Sequence, residues 1–411
     1  MTPEIKGFLL LSVVKLLTVF TVVMVGVALL TLMERKVSAW MQNRFGPNRV
    51  GYGGLLQPAA DGLKNLVKEE TLPAHANKGL FLLAPALSFI PALMLTAVIP
   101  FAAPLPVTFD LTLPLLGRFI HTGPMPMVVA DLPVGFLFIL AISSLGVYGI
   151  ALAGWSSNSK YSLLGGLRAS AQMVSYEVPL GMSIVPVLLL SGNVTFSAVI
   201  ADQQTGLWYV LPLFFSFFIF LVAGFAETNR LPFDMPEAES ELIAGYHTEY
   251  SGMKFSMFFI AEYANIVTVC AVTVTLFFGG WDIPFTAWDQ TPGLAQTLLT
   301  GAFLFLKILF FIFVVMWVRW TLPRFRFDQL MSLGWKFMLP VALGYVMLTG
   351  AALWGIEDVA GVTNPKLRGA ILFVLNLALG YLVFFVVDRG YIVTGAGSAG
   401  RRGAAGLGGT R

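Results

Sequence analysis

Carboxylates placed inside apolar stretches are the residues of this sequence with the clearest potential for chemistry. Glu177 lies in the segment SYEVP and Glu262 in the segment AEY, each about seven residues, or roughly 10 Å, inside a hydrophobic stretch. A charged residue at the centre of a membrane helix costs about 2.5–3.5 kcal/mol on insertion scales, so such residues are usually functional. With Glu227, which ends another apolar stretch, they predict a proton path; the structural alternative for Glu177 is a protonated side chain that hydrogen-bonds a neighbouring helix.

Residues 226–250, which include Glu227, form a strongly acidic loop. Glu237 and Glu241 lie four residues apart at the start of a predicted short helix, so they share a face and titrate as a coupled group. Interspersed Leu, Phe, Met and Ile residues favour a loop that is tucked in and partly buried over the alternative of a solvated acidic loop. The basic residue among the acids is Arg230, and the acids are Glu227, Asp234, Glu237, Glu239, Glu241 and Glu249.

A third polar region covers residues 33–71. Leucines and alanines recur at helical spacing over 53–70, with Asp61 and lysines on the other face, which predicts an amphipathic helix along the membrane interface. Two interpretations stay open for this region. It is either a positively charged anchor, or a polar pocket at the membrane surface lined by Arg35, Arg44 and Asp61.

The composition indicates what positions these residues. Of 411 residues, 57% are hydrophobic and 11% are charged, against about 25% charged in soluble domains. We therefore predict an all-α polytopic membrane protein with an interfacial amphipathic helix. A span needs about 20 apolar residues, and nine stretches qualify, at 8–32, 79–101, 132–153, 171–190, 208–226, 255–278, 301–320, 335–355 and 369–387.

The charge distribution predicts the orientation. Nineteen Lys and Arg residues fall on one side of the nine spans and four on the other, which places the N-terminus outside and the C-terminus in the cytoplasm. The outer loops 102–131, 191–207 and 280–300 are expected to be simple connectors. We expect residues 1–388 to form a single transmembrane domain and 389–411 a disordered Gly/Arg tail. Lys15 and Lys307 lie inside spans as potential counter-charges for the acids.

Several kinds of site are excluded. One cysteine and three widely separated histidines provide no motif for zinc or an iron–sulfur cluster, so we expect no metal site and no redox cofactor in this chain. The GxGxxG match at 395–400 has no βαβ unit around it. Nothing predicts nucleic-acid binding. Any electrons must be carried by other chains.

Four segments together resemble a known family. The first segment begins at Glu34 and contains ERK, QNRFGPN, LQPAADGLK and KE. The second runs from GWSSNSKYSL through SYE, the third from AETNRLPFD through EY, and the fourth from PRFRFDQLM through WK. The pattern is similar to the H subunit of proton-pumping NADH:quinone oxidoreductase, respiratory complex I, from the first to the eighth span. The chain departs from it at Tyr52-Gly53, where many members have a proline, and in the tail beyond Asp388.

The resemblance implies specific roles and partners. Quinone is the substrate, its tail lies in a chamber shared with two peripheral subunits, and flavin (FMN) and iron–sulfur clusters belong to partner subunits. Antiporter-like pump subunits are further partners, in a bacterial inner membrane. The residues implied at the chamber are Glu34, Arg35, Arg44, Asp61, Arg324 and Arg326. Those implied in the acidic connection to the pumps are Glu177, Glu227, Glu237, Glu239, Glu241 and Glu262.

Three alternatives stay open from the residues alone. The nearest is the homologous membrane subunit of an energy-conserving hydrogenase-like complex. A stand-alone ion-coupled transporter predicts internal inverted repeats, which the sequence does not display. A passive anchor for a peripheral enzyme leaves Glu177 and Glu262 without a purpose.

Overall fold

Helices joined by short loops make up most of the computed structural model. It describes residues 3–388 apart from 114–116, 237–238, 285, 287, 289–290, 292 and 363, so the predicted disordered tail 389–411 lies outside the described residues. The helices are α1 (Pro3–Met41), α2 (Gln57–Val67), α3 (Lys78–Met94), α4 (Gly135–Ser156), α5 (Lys160–Ser191), α6 (Phe196–Thr205), α7 (Phe214–Glu227), α8 (Glu239–Leu242), α9 (Gly252–Phe277), α10 (Leu294–Thr321), α11 (Phe327–Ser332), α12 (Leu339–Trp354) and α13 (Pro365–Asp388).

The membrane-spanning prediction is confirmed, with one span shorter than expected. Within the described residues, eight helices are long and apolar enough to cross a bilayer, the seventh of them a continuous run over Phe327–Val359. The predicted span at 208–226 is the shorter apolar helix α7, whose 14 residues rise about 21 Å against a hydrocarbon core of about 30 Å. Residues 209–213 form turns instead of helix.

Helix α9 is the centre of the bundle. In its most apolar window 67% of the residues are buried inside the chain, against 22% for α1 and 17% for α13. The outer helices leave many large apolar side chains uncovered by protein, as lipid-facing helices do. A side chain of α9 is therefore surrounded by protein, and its polar groups need protein partners.

Glycines allow α4 to pack closely between α3 and α5. A Cβ atom at Gly149 would lie 2.2 Å from Ser88 Oγ on α3, and one at Gly154 would lie 2.6 Å from the Ser162 carbonyl on α5. Small residues permit such close backbone approach between membrane helices. This packing fixes the position of α5, which carries Glu177.

The loop at 102–131 is a structured hairpin, so the prediction of a simple connector was wrong. Strand β1 (Ala102–Pro106) pairs antiparallel with β4 (Pro124–Met127), and β2 (Phe109–Leu113) pairs with β3 (Gly117–His121). Helix α1 packs against the hairpin so closely that a Cβ at Gly7 would lie 2.2 Å from the Ile120 carbonyl oxygen. Apolar and polar side chains alternate over residues 107–113, which is the usual sequence signal for a strand, but the prediction was based on the Pro, Thr and Gly content of the loop.

The amphipathic helix predicted within 53–70 is confirmed as α2. None of its residues is buried, and Leu63, Leu66 and Val67 are largely exposed. It begins after a 3₁₀ turn at Tyr52–Gly54. Gly51, just before this turn, and Gly53 and Gly54 within it have positive φ angles. An apolar face that the chain leaves uncovered fits the predicted position along the membrane interface.

Candidate functional site

A buried ion pair joins the C-terminal ends of α1 and α10. Glu34 is 8% exposed and its carboxylate pairs with the guanidinium of Arg319 in the last turn of α10. The hydroxyl of Tyr263, on α9, donates a hydrogen bond of 2.5 Å to the same carboxylate. Helix α1 continues to Met41, so Glu34 lies on a rigid helix and not in the loop after it. Glu34 is thus fixed by two neighbouring helices.

A second buried ion pair lies beside the first. Nη2 of Arg230, in the loop after α7, is 3.2 Å from Oε2 of Glu262 on α9, and both side chains are at least 90% buried. The Arg230 guanidinium lies over the Tyr263 ring, 4.5 Å from its centroid. The Tyr246 hydroxyl is 3.4 Å from the Glu262 carboxylate. Tyr263 therefore contacts both ion pairs, and we call these five residues, Glu34, Arg230, Glu262, Tyr263 and Arg319, the paired cluster.

The paired cluster forms the polar end of an otherwise apolar cavity between α1, α9 and α10. Glu34, Arg230, Tyr263 and Arg319 line that end. The rest of the wall is aliphatic or thioether, and consists of Leu30, Ile266, Ile312, Val315 and Met316. Ligand sites of this kind combine an apolar wall with a few polar groups that fix orientation. The lining is thus apolar over most of the cavity and charged at one end.

Glu177 and Glu227 occupy a different environment. Glu227, the last residue of α7, lines a second cavity among apolar side chains of α4, α5 and α9. It hydrogen-bonds Ser143 and is near enough to Glu177 for their charges to interact. Neither acid forms an ion pair with a basic residue in the part of the chain that the structure describes. We call Glu177 and Glu227 the unpaired acids.

The prediction of a tucked-in acidic loop is confirmed for its first part. Phe233, Asp234 and Met235 are buried. The amide of Gln172, on α5, donates to the carbonyls of Ala226 and Phe233 at 2.7 Å each. This side chain holds the loop against α5 and the end of α7.

The acids of this loop are distributed between buried and surface positions. Asp234 pairs with Arg324 at 2.8 Å, and the exposed Glu241 pairs with Arg168 at 2.5 Å. The predicted charge coupling of Glu237 with Glu241 stays a prediction, because Glu237 and the side chain of Glu239 lie outside the described residues. The structure thus places Asp234 and Arg324 at the edge of the buried part of the loop and Glu241 at the surface.

The residues expected at the chamber do not all meet. Glu34 belongs to the paired cluster, whereas its neighbour Arg35 faces outward and pairs with Asp61 of α2 at 2.6 Å. Arg44 and Arg326 are exposed and form no ion pair with described residues. The set therefore divides into one buried acid, the loop residue Arg324, and a surface group around α2.

The two lysines inside spans bind backbone carbonyl groups that lie outside the helices. Lys15 Nζ donates to the Val128 carbonyl at 2.9 Å and to the Pro126 carbonyl at 3.3 Å. Lys307 Nζ donates to three carbonyls beyond the end of α9, at 2.7–2.9 Å. A cation at a helix C-terminus is favourable because the last carbonyls have no helical partner. These contacts give both lysines a structural role away from the acids.

Sequence reasoning missed the partners of the acids. Arg319 counted only toward topology, and Tyr263 is uncharged, so hydropathy did not distinguish them. A signal for Arg230 was present, since it is the basic residue in a run of acids. A signal for Tyr263 was its position next to Glu262.

Outside the spans, a buried tyrosine closes the end of the acidic loop. Tyr250 stacks on Phe81 with ring centroids 4.0 Å apart, and its hydroxyl donates to the Phe81 carbonyl at 3.2 Å. Burial raises the pKa of Tyr250 to about 12. The hydroxyl therefore stays protonated at physiological pH and acts as a fixed donor.

Comparison with known proteins identifies the family. A model of the family described as NADH dehydrogenase matches residues 14–350. The chain is 51% identical over 351 residues to the second NADH-quinone oxidoreductase H subunit of Koribacter versatilis, covering 84% of this chain and 98% of that protein. It is 50% identical to the corresponding H subunit of Leptospira biflexa over 336 residues, 81% and 92% of the two chains. Against NADH-ubiquinone oxidoreductase chain 1 of Chondrus crispus, identity is 48% over 346 residues, 84% and 98%.

The chain therefore belongs to the family of NADH-quinone oxidoreductase H subunits, which confirms the resemblance drawn from its motifs. It is a multi-pass membrane protein of that family, as its apolar helices require.

Proposed function

We propose that this chain is the membrane subunit of a proton-pumping NADH:quinone oxidoreductase that receives the apolar part of quinone. The observation that carries the proposal is the cavity between α1, α9 and α10, with an apolar wall and the paired cluster at one end. An isoprenoid tail would lie against the aliphatic wall. The redox-active head group would then lie at the cytoplasmic end of the cavity, near the peripheral subunits. Family membership supports the same assignment.

The paired cluster offers a physical route from quinone chemistry to the membrane acids. Reduction of quinone to quinol takes two electrons and two protons, so negative charge develops on the head group until protons arrive. In surroundings of low dielectric constant, such charge acts strongly on nearby ions. Arg230 and Arg319 are then attracted to the head group in competition with Glu262 and Glu34, which changes the charge balance of the cluster.

The change in the cluster reaches the unpaired acids through α9. Glu262 lies on this central helix, and the same helix lines the cavity that contains Glu227. Glu227 in turn interacts with Glu177. We assign to Glu177, Glu227 and Glu262 the transfer of protons or charge toward pump subunits, with Glu237, Glu239 and Glu241 as the entrance from the loop.

The surface residues are assigned to partner contacts and to the chamber mouth. Arg35, Arg44, Asp61 and Arg326 are accessible around α2 and the α10–α11 loop, where peripheral subunits that carry flavin and iron–sulfur clusters would dock. The excess of positive residues on this side supports a cytoplasmic location, with the N-terminus periplasmic in a bacterial inner membrane. Antiporter-like pump subunits would lie beside the unpaired acids.

Purification of the tagged chain from native membranes in a mild detergent tests the proposal. The expected result is co-purification of flavin and iron–sulfur subunits with antiporter-like subunits, and a lipophilic quinone in the organic extract. Replacement of Ile312 by Trp, which fills the cavity with a bulky ring, is expected to lower the quinone content and raise the KM for quinone. Ile5→Trp on the exposed face of α1 is the matched control. Recovery with nickel–iron hydrogenase subunits, or with no redox protein, would contradict the proposal.

A further inference from the structure

The cavity beside Glu227 is a polar spot in apolar surroundings. Among the described residues that line it, the polar ones are Ser143, Glu227, Asn265 and Thr268. The other lining side chains are Leu, Ile, Phe and Val residues of α4, α5, α7 and α9 and of the turn after α3. A cavity that contains several polar groups can hold water, whereas a purely apolar cavity of similar size stays dry.

Asn265 supplies a group that needs a ligand. Its side-chain oxygen is buried and has no hydrogen-bond partner among the described residues. A buried polar atom without a partner costs about 1–3 kcal/mol, so such atoms are usually satisfied by protein or by ordered water. If the amide is rotated by 180°, the amide nitrogen takes that place and needs an acceptor instead, so the need for a ligand does not depend on the assignment.

The neighbouring hydroxyl groups do not meet this need. The Thr268 hydroxyl donates to the carbonyl of Ala264 in its own helix at 3.0 Å. The Ser143 hydroxyl lies between the Glu227 carboxylate and the Leu140 carbonyl, 3.0 Å from the latter. Of these cavity residues, Asn265 has the oxygen that lacks a donor among the described residues, and the oxygens of Glu227 and Thr268 can each accept a further hydrogen bond. Water, which donates two hydrogen bonds, fits this set.

The position of Asn265 links the two groups of acids. It follows Glu262 by three residues on α9, a rise of about 4.5 Å, so the two side chains lie on neighbouring turns. Glu262 belongs to the paired cluster, and Asn265 faces the cavity of Glu227. A water held by Asn265 would lie on the route from one group to the other.

We propose that Asn265 is a positioning residue that holds water in this cavity, and that this water relays a proton between Glu262 and Glu227. The proposal rests on the proposed function. In the relay, one carboxylic acid gives its proton to the water while the water gives another proton to the opposite carboxylate. Two O–H bonds break and two form, the water is regenerated, and no electron is transferred.

The proposal is tested in the purified whole complex, reconstituted in liposomes. Asn265→Leu removes the amide at similar volume and is expected to lower the number of protons translocated per NADH oxidised at least twofold. Asn265→Asp keeps an oxygen in the same place and is expected to restore most of that ratio, with a shifted pH profile. Thr273→Val is the matched control, because this buried hydroxyl on α9 bonds the Val269 carbonyl at 2.7 Å and lies outside the cavity lining. It is expected to keep the wild-type ratio.

The possible outcomes separate this inference from the proposed function. A wild-type ratio in Asn265→Leu would overturn the role of Asn265, and so would equal loss in Asn265→Leu and Asn265→Asp, which indicates a structural effect. Proton translocation by the wild type that depends on added Na⁺ would indicate a metal cation in the cavity and would also overturn it. If Asn265→Leu does not assemble, Asn265→Ala replaces it in the same comparison. Absence of proton translocation in the wild type would instead contradict the proposed function.

Discussion

The paired cluster and the unpaired acids are two solutions to the same problem, a carboxylate inside a membrane protein. In the cluster, Glu34 and Glu262 each face a guanidinium, so charge is balanced within the chain. Glu227 lies among apolar side chains and near Glu177, with no basic residue paired to either acid in the described chain. An opposite charge favours the ionised form of an acid, whereas burial without one disfavours it. With both ion pairs intact, the cluster is therefore suited to sensing charge, and the unpaired acids are suited to exchanging protons.

The largest effect on stability is expected where a buried pair is broken. Arg230→Met leaves the carboxylate of Glu262 without its cation, and breaking such a pair costs about 3–5 kcal/mol. The midpoint of thermal unfolding of the purified complex and the yield of assembled complex measure the loss. The double variant Arg230→Met/Glu262→Gln removes both charges and should recover most of the stability. Equal stability of the wild type and Arg230→Met would contradict the difference proposed between the paired cluster and the unpaired acids.

A smaller effect is expected at the residue that joins the two pairs. Tyr263→Phe removes the hydrogen bond to Glu34 but keeps the ring beneath Arg230, and a hydrogen bond to a charged group contributes about 1.5–3 kcal/mol. Thermal unfolding of the complex should shift less than for Arg230→Met. Phe259→Leu, which removes a ring 5.5 Å from Arg230 without touching Glu34, is the comparison variant. A larger loss in Phe259→Leu than in Tyr263→Phe would show that the hydrogen bond is unimportant.

A solvent-exposed ion pair sharpens the comparison further. Arg118 and Asp110 pair across the β2–β3 hairpin, and the hydrogen bond from Arg118 holds the pKa of Asp110 below its usual value. A lowered folded-state pKa stabilises the hairpin at neutral pH, and this contribution is lost as the pH falls through that pKa. The protection factors for amide hydrogen exchange in β2 and β3, corrected for the intrinsic exchange rate at each pH, should therefore fall slightly at acid pH in the wild type. Arg118→Gln should abolish the difference; an unchanged pH dependence in that variant would assign it to other groups.

No loss of stability is expected from neutralising an unpaired acid. Glu227→Gln removes a charge that no cation in the described chain balances, and keeps the side-chain volume and a partner for Ser143. Because an uncompensated buried charge is costly, its removal should leave the unfolding midpoint unchanged or raise it. Glu262→Gln, which removes the carboxylate that pairs with Arg230, should lower the midpoint of thermal unfolding. A similar loss in both variants would mean that Glu227 also has a cation, supplied by a neighbouring subunit.

The sequence was sufficient for the spans, the family and the acids, because each depends on local signals. Hydropathy identified Glu177 and Glu262 as costly residues inside spans, and spacing identified α2 as amphipathic. The pairing of these acids depended on contacts between residues far apart in the chain, such as Glu34 with Arg319, which no local pattern contains. Adjacent residues can also have different partners, since Glu34 and Arg35 point to different sides of α1 and pair with Arg319 and Asp61 respectively.

The hairpin at 102–131 and the cavity beside Glu227 illustrate the other limit of the sequence. Apolar and polar side chains alternate over residues 107–113, but the pairing of the strands also depends on packing, because α1 approaches the hairpin closely at Gly7 and Lys15 binds the Val128 carbonyl. Asn265 is an ordinary polar residue in a hydrophobic helix until the helices around it define a cavity. Uncharged residues obtain their roles from packing, which composition and periodicity do not encode.

Proton translocation by the complex carrying Glu227→Gln is the most direct test of the division between the two regions. Protons moved per NADH oxidised are measured in proteoliposomes, beside Glu357→Gln, which alters an exposed glutamate that pairs with Arg368 at 2.7 Å. We expect the assembled Glu227→Gln complex to lose most of the wild-type ratio, because a proton-transfer group is removed, and Glu357→Gln to retain it. A wild-type ratio in Glu227→Gln would contradict a role for the unpaired acids in proton exchange.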